Sequence, residues 1–203
     1  KRRANVTKIR SVFAPYMPVT IINNNSNIPH PHLAYPVDVI NNERNWFCME
    51  RWVRCYEYDE PYKLIVDDDL LPHPSLVKKM LEKNLPIVGI YGKSGVKTAN
   101  AYKDLVDHWN INSKVDFLVG SVILVKQSAL NLIKDDIEKI GYPRRGDDII
   151  VSYLLKKYLK LKFLDTIGGR VLNLPELDVG LNKDPEHFNM RWKVIEQFKK
   201  ISH

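Results

Sequence analysis

The stretch Tyr62-Lys63-Leu64-Ile65-Val66-Asp67-Asp68-Asp69-Leu70-Leu71-Pro72 decides how this chain is read. Residues 62–66 form a short apolar run of the kind that makes a buried strand. The run ends in three carboxylates. Side chains alternate along an extended chain, so Asp67 and Asp69 are expected on one side and Asp68 on the other. Three carboxylates at a buried strand end repel one another and resist desolvation. A divalent cation resolves that conflict, and clustered oxygens select a hard ion, Mg²⁺ or Mn²⁺. Ligands of open α/β sheets sit beyond the carboxyl ends of strands, where this cluster falls. The plainer alternative is a solvated turn in which Asp68 or Asp69 caps the following helix.

Outward from this point the elements alternate. Downstream, the patterns predict a helix at 74–83 with Leu76, Val77, Met80 and Leu81 inward, and a strand at 87–91. A glycine-bearing loop at 92–95 leads to a long strand or hairpin at 115–125. Helices at 128–140 and 147–158, a strand at 161–164 and a helix at 184–201 complete the chain. Upstream lie a helix at 1–16, strands at 19–22 and 37–40, and a helix at 45–58. A Pro/His-rich loop at 27–36, holding His30 and His32, separates the two strands. Such alternation predicts an α/β fold, a mixed and mostly parallel sheet flanked by helices. A helix that enters a parallel strand usually follows another strand, so a first strand upstream of Lys1 is expected. No repeat or linker divides residues 1–203, read as one domain with a binding half at 1–114 and a catalytic half at 115–203.

The composition is that of a globular domain: 203 residues, 44% hydrophobic, 27% charged and 10% aromatic. That excludes disordered, collagen-like and coiled-coil classes. No apolar run approaches the roughly 18 residues of a membrane span. The net charge of +7 favours anionic partners. It is scattered over pairs such as Arg144-Arg145 and Lys199-Lys200, however, with no zinc-finger spacing or Arg/Gly repeat to indicate nucleic acid. Cys48 and Cys55, seven apart, read as buried free thiols on one helix face, which points to a reducing, cytoplasmic setting. Gly92, Gly95, Gly168 and Gly169 read as turns. Asn5-Val6-Thr7 and Asn24-Asn25-Ser26 match glycosylation sequons.

A second acidic pair, Asp147-Asp148, opens an apolar helix. Acids in a first turn complement the helix dipole and cap it. The functional alternative is a general base near a metal-bound leaving group.

The order of these features resembles the nucleotide-sugar glycosyltransferases of GT-A (Rossmann-like) fold. They are a hydrophobic strand, Asp-x-Asp, Leu-Leu-Pro, helix and strand, then Asp116-Phe117-Leu118-Val119-Gly120-Ser121, then Asp147-Asp148-Ile149 at a helix start. The nearest flavours are inverting family 2 enzymes and exostosin-like domains, with chlorovirus domains among the look-alikes. If the chain is viral, the expected setting is the host cytoplasm. The resemblance implies a UDP-sugar donor, a glycan hydroxyl acceptor, Mn²⁺ or Mg²⁺ as cofactor, and no nucleic-acid partner. It implies a monomer or a part of a longer multidomain chain. It puts Asn24, at a strand end, near the base, and Asn45 and Arg51 near base and phosphates. It gives Asp67 to the ribose and metal, Asp69 to the metal, and Asp68 and Gly120 to the donor site. Asp147-Asp148 matches the pair that supplies the base, Asp148 being the better placed. Residues 188–192, Phe-Asn-Met-Arg-Trp, resemble a Gln-x-x-Arg-Trp signature with Phe188 in place of Gln. Arg191 would then cover the diphosphate, and His187, four residues earlier on the same face, would join it or the metal.

Sugar transfer needs a hydroxyl to attack an anomeric carbon while a nucleoside diphosphate leaves. A metal and arginines stabilise the departing charge. Trp109, His108 and Tyr102 are candidates to stack on an acceptor sugar or to pack in the core. Two other classes fit parts of the pattern. A haloacid-dehalogenase-like phosphatase also uses a strand followed by Asp-x-Asp, but wants Thr or Val where this chain has Leu71. A non-catalytic polyanion- or carbohydrate-binding module would use the positive charge alone.

Overall fold

The computed structural model describes residues 2–24, 27–31, 33, 37–95, 99–175 and 184–199. His32, Lys200 and two residues of the Asn24-Asn25-Ser26 sequon lie outside them. Helix α1 (Arg2–Phe13) leads into β1 (Val19–Asn23), which pairs in parallel with β2 (Val37–Asn41). Next come the short α2 (Glu50–Arg54), continued by a 3₁₀ turn (Cys55–Glu57), then β3 (Tyr62–Val66), β4 (Leu70–Pro72) and α3 (Pro74–Glu82). They are followed by β5 (Ile87–Gly89), β6 (Tyr91–Ser94), a 3₁₀ turn (Tyr102–Asp104), β7 (Val106–Trp109) and β8 (Ser113–Val115). Then come β9 (Phe117–Leu118), β10 (Val122–Lys126), α4 (Gln127–Asn131), α5 (Lys134–Ile140) and α6 (Asp147–Leu159). The last elements are β11 (Leu164–Thr166), β12 (Val171–Asn173) and α7 (His187–Lys199).

The α/β class is as expected, but the sheets are several and their pairings mostly antiparallel. The central sheet has the order β3-β10-β5-β11-β8. Only β5 and β11 pair in parallel; β10 runs against both β3 and β5, and β8 against β11. The reason is local. β9 opposes β6 and β10 opposes β5, so the chain runs back along β5 and β6 as one bent strand and enters the central sheet antiparallel to β5. β10 therefore fills the gap between β3 and β5, which share a direction. The halves at 1–114 and 115–203 contribute to one sheet. Small sheets flank it: β1-β2, β12-β4 and β7-β6-β9.

Several expected elements are shorter or divided. The expected helix at 45–58 begins only at Glu50, because Phe47 takes φ 60° and its N–H bonds the Asn45 side chain in a turn. The expected strand at 87–91 breaks at Ile90, after which the chain joins another sheet. Gly92 lies in β6 rather than in a turn. A Cβ there would stand 2.6 Å from Val115 Cγ2 and 2.9 Å from the Phe117 carbonyl, so only glycine permits the approach. Leu81, expected inward on α3, is exposed, whereas Leu76, Val77 and Met80 are buried.

Helix α6 is buried all round from Asp147 to Lys156, as its apolar composition on both faces requires. The Ser152 hydroxyl accepts the Leu118 N–H at 3.0 Å and so ties α6 to β9. Helix α7 covers the start of α6, where a Cβ on Gly146 would meet Val194 at 3.1 Å. Met49, Trp52, Ile65, Ile123 and Ile150 share the main core. Fully burying each such side chain contributes roughly 1.5–3 kcal/mol. Among the described residues no helix is long and apolar enough to cross a membrane. Asn5, in the first sequon, is buried and donates to the Pro175 carbonyl at 3.0 Å, so it is not open to modification in the folded chain.

Candidate functional site

Six of the residues singled out in the sequence converge beyond the carboxyl end of β3. The Asp67 N–H donates to the Ser121 carbonyl at 2.9 Å, which fixes the start of the acidic turn against the bend before β10. Arg51, on α2, donates from Nη1 to Asp67 Oδ1 at 2.6 Å. Its Nε and Nη2 reach Asp147 Oδ2 at 3.0 and 2.8 Å. The indole N–H of Trp52 donates to the same oxygen at 2.8 Å. Beside it, Asp148 Oδ2 accepts the Gly120 N–H at 2.6 Å and Arg191 Nη2 at 2.8 Å, while Oδ1 accepts the Ile149 N–H. Arg191 lies 4.8 Å over the Tyr102 ring. Gly120 sits in the middle: a Cβ there would stand 2.1 Å from Arg51 Nη2.

The two acidic groups are in different electrostatic states. Burial pushes the Asp67 pKa up to about 7; Arg51 opposes the rise, while Asp69, Asp147 and Asp148 add to it. Burial also acts to raise Asp148, but the charge and hydrogen bond of Arg191 and the Gly120 N–H hold it below the usual carboxylate range. Asp147 and Asp148 are almost completely buried, whereas Asp67 keeps 38% of its side chain exposed. The network opens to solvent at Asp67.

Asp67, Asp68 and Asp69 are half-buried and do not continue as an extended strand. Residues 68 and 69 form a turn, closed by the Leu70 N–H on the Asp67 carbonyl at 3.2 Å. Strict alternation of their side chains is therefore replaced by a turn. None of them caps α3; His73 does, its ring nitrogen accepting the Ser75 N–H at 3.2 Å. The Leu174 N–H bonds the Asp69 carbonyl at 2.7 Å, so the segment after β12 holds the turn from its other side.

Other expected site residues lie elsewhere. Asn45 is exposed and spends its side-chain oxygen on the Phe47 turn. Asn24 is half-buried; it donates to the Phe47 carbonyl at 3.0 Å and accepts from Asn42 at 2.7 Å. Next to this chain of amides, at the carboxyl end of β2, a pocket of about 560 Å³ is lined by Asn41, Asn42, Arg44, Trp46 and Arg54. The Arg44 guanidinium lies 3.6 Å over the Trp46 ring. His187 starts α7 among Arg145, Arg191, Asp148 and Asp184. Burial and the two arginines push its pKa down to about 4, so its ring is neutral at pH 7. It does not join Asp67 and Asp69: among the described residues no group of three His, Cys, Asp or Glu side chains is gathered to hold a metal. Tyr102 is buried, which settles it as packing; Trp109 is partly exposed. Cys48 and Cys55 are free, half-buried and buried respectively, and burial pushes both thiols up to about 12. Cys48 precedes α2, so the two do not share a helix face.

The donor set still suits one kind of metal. Mg²⁺ and Mn²⁺ sites that carry substrate phosphates use one or two carboxylates and complete their shell with phosphate oxygens and water. Asp67 and Asp69, close enough for mutual repulsion to raise the Asp67 pKa, fit that requirement. Trp52 was not singled out in the sequence, where it falls within the helix expected at 45–58. The available signal was chemical: a buried indole N–H needs an acceptor.

No family model matches this chain, and no curated protein does. Among solved structures, one reported as the crystal structure of A197 from STIV is similar over 78% of this chain and 86% of that one. The two are 14% identical, with a TM-score of 0.37. A likeness that shallow carries no argument about fold or chemistry.

Proposed function

We propose that the chain is a metal-dependent glycosyltransferase of GT-A type that transfers a hexose or deoxyhexose from a UDP-sugar to a glycan hydroxyl. The observation that carries this reading is the convergence of Arg51, Asp67, Gly120, Asp147, Asp148 and Arg191 at one strand end. They come from five separate segments, and both arginines are held by carboxylates at a cluster with one open face.

In this reading Asp67 and Asp69 hold Mn²⁺ or Mg²⁺, which supplies Lewis-acid stabilisation of the departing diphosphate. Arg51 Nη1 borders the same open face and donates to a phosphate oxygen, a charge-assisted bond. The open pocket beside Trp46, lined also by Ile40 and Glu43, is the place this reading gives the nucleoside. Asp148 is occupied at rest. For it to take the acceptor's proton, Arg191 has to leave Oδ2 for the phosphates, and that exchange couples donor binding to exposure of the base. Attack from the Asp148 side, opposite the leaving group, inverts the anomeric centre.

The test is a thermal-shift panel of nucleotides and nucleotide-sugars with and without Mn²⁺, since a ligand that binds only the native state raises its melting temperature. Stabilisation by UDP with Mn²⁺, lost in Asp69→Ala, is expected. Asp148→Asn is expected to keep that stabilisation and to lower transfer about 10²–10⁴-fold, the usual worth of a general base. No stabilisation by any nucleotide or nucleotide-sugar, with or without Mn²⁺, rejects the reading.

A further inference from the structure

We infer that Trp52 is a positioning residue: its buried indole N–H locks Asp147 so that Arg51 presents a single donor, Nη1, to the open face. Three donors meet on one oxygen, Asp147 Oδ2: Arg51 Nε at 3.0 Å, Arg51 Nη2 at 2.8 Å and Trp52 Nε1 at 2.8 Å. Trp52 has no exposed surface, and Asp147 has almost none. The carboxylate is thus gripped from the core side by a group that cannot exchange with water. Both donors on the Nε–Nη2 edge of the guanidinium converge on that one oxygen, which holds this edge against Asp147. Gly120 closes the other side of Arg51, leaving no room for a Cβ. What remains free to turn outward is Nη1, which rests on Asp67 Oδ1 at 2.6 Å. Trp52 touches nothing on the open face; it acts through Asp147 and Arg51. Outer-shell partners of this type orient the groups that meet a ligand.

The consequence for ligand affinity rests on the glycosyltransferase reading, while the placing of Arg51 does not, and the experiment separates them. Trp52→Phe keeps an aromatic ring in the core and removes the N–H. Ile133→Ala, in the same core but away from the network, serves as the control for lost packing. Nitrogen-15 NMR reads proton exchange at Arg51 Nε. Trp52→Phe is expected to speed it about tenfold or more, because a hydrogen bond to a charged acceptor is among the stronger ones, and Ile133→Ala to leave it unchanged. Equal exchange in wild type and Trp52→Phe overturns the inference, as does equal acceleration in both variants. If Trp52→Phe does not fold, the wild type decides: an indole proton on Trp52 that exchanges as fast as that of free tryptophan overturns it. Mn²⁺ titration of the same proteins is expected to show weaker binding in Trp52→Phe than in Ile133→Ala. Absence of Mn²⁺ binding in the wild type counts against the functional reading and leaves the Arg51 result standing.

Discussion

Arg51 lies between two kinds of aspartate. On one side Asp147, with Asp148 beside it, is buried and saturated with donors; Asp148 is held ionised by Arg191. On the other side Asp67 is partly open, and burial among like charges raises its pKa to about 7. The residue type is the same; the number of donors per oxygen differs. A carboxylate with a full set of donors is an anchor, and one with acceptor positions to spare is available to a cation or a proton.

The largest effect expected from this contrast is on the anchor side. Asp147→Ala strands Arg51 and the Trp52 indole without their acceptor. Breaking one partner of a buried ion pair costs about 3–5 kcal/mol. In a chain of this size that lowers the melting temperature by roughly 10 °C, which calorimetry measures. A loss below about 1 kcal/mol erases the distinction between the two sides. Gly120→Ala comes next. Its Cβ needs the space of Arg51 Nη2, and such overpacking costs roughly 1–3 kcal/mol in a denaturant titration. It is also expected to weaken Mn²⁺-dependent nucleotide binding, because the guanidinium has to move.

A smaller, pH-dependent effect sharpens the comparison. Native Asp67 keeps its proton to a higher pH than the unfolded chain does, so its contribution to stability falls as pH rises from about 4 through about 7. Asp148 does the opposite: its contribution is present above the unfolded pKa near 4 and is lost as pH falls through its lower native value. Asp67→Asn is therefore expected to gain stability relative to wild type between pH 5 and pH 8, while Asp148→Asn shows no such trend there. Mn²⁺ has to displace the Asp67 proton, so its stabilisation of the wild type is expected to grow over the same interval. The smallest effect on stability is that of Asp69→Ala, at a half-buried turn position, expected to cost less than Asp147→Ala in the same denaturant titration, with Mn²⁺ binding lost. A large loss of stability in Asp69→Ala would make the turn an anchor as well.

Which residues meet was legible in the sequence to the extent that their chemistry was distinctive. The Asp67 turn, Gly120, Asp147-Asp148 and the two arginines were singled out, and they are together. What each does was less legible. The partner of Asp148 is Arg191, 43 residues away, and no local pattern shows that pairing. Asn45 was lost because a turn at Phe47 absorbs its side chain. The sheet was misread for a similar reason: the apolar run that becomes β9 and β10 marks burial without marking direction, and its sense is set by its return along β5 and β6. The three-residue strands β4 and β12 are too short to leave a periodic trace and exist because they pair with each other.

The insertion of β10 between β3 and β5 has a consequence for how the chain matures. As the polypeptide leaves the ribosome, β3 and β5 emerge first, each with an unmet hydrogen-bonding edge. They have no means of joining each other directly in the final order. Until Lys126 has emerged they are open to pairing with other chains, and closure then spans a long loop, a slow and aggregation-exposed step. A fragment ending at residue 114 should accordingly be recovered insoluble or bound to chaperones, whereas a chain carried through β11 and α7 should not.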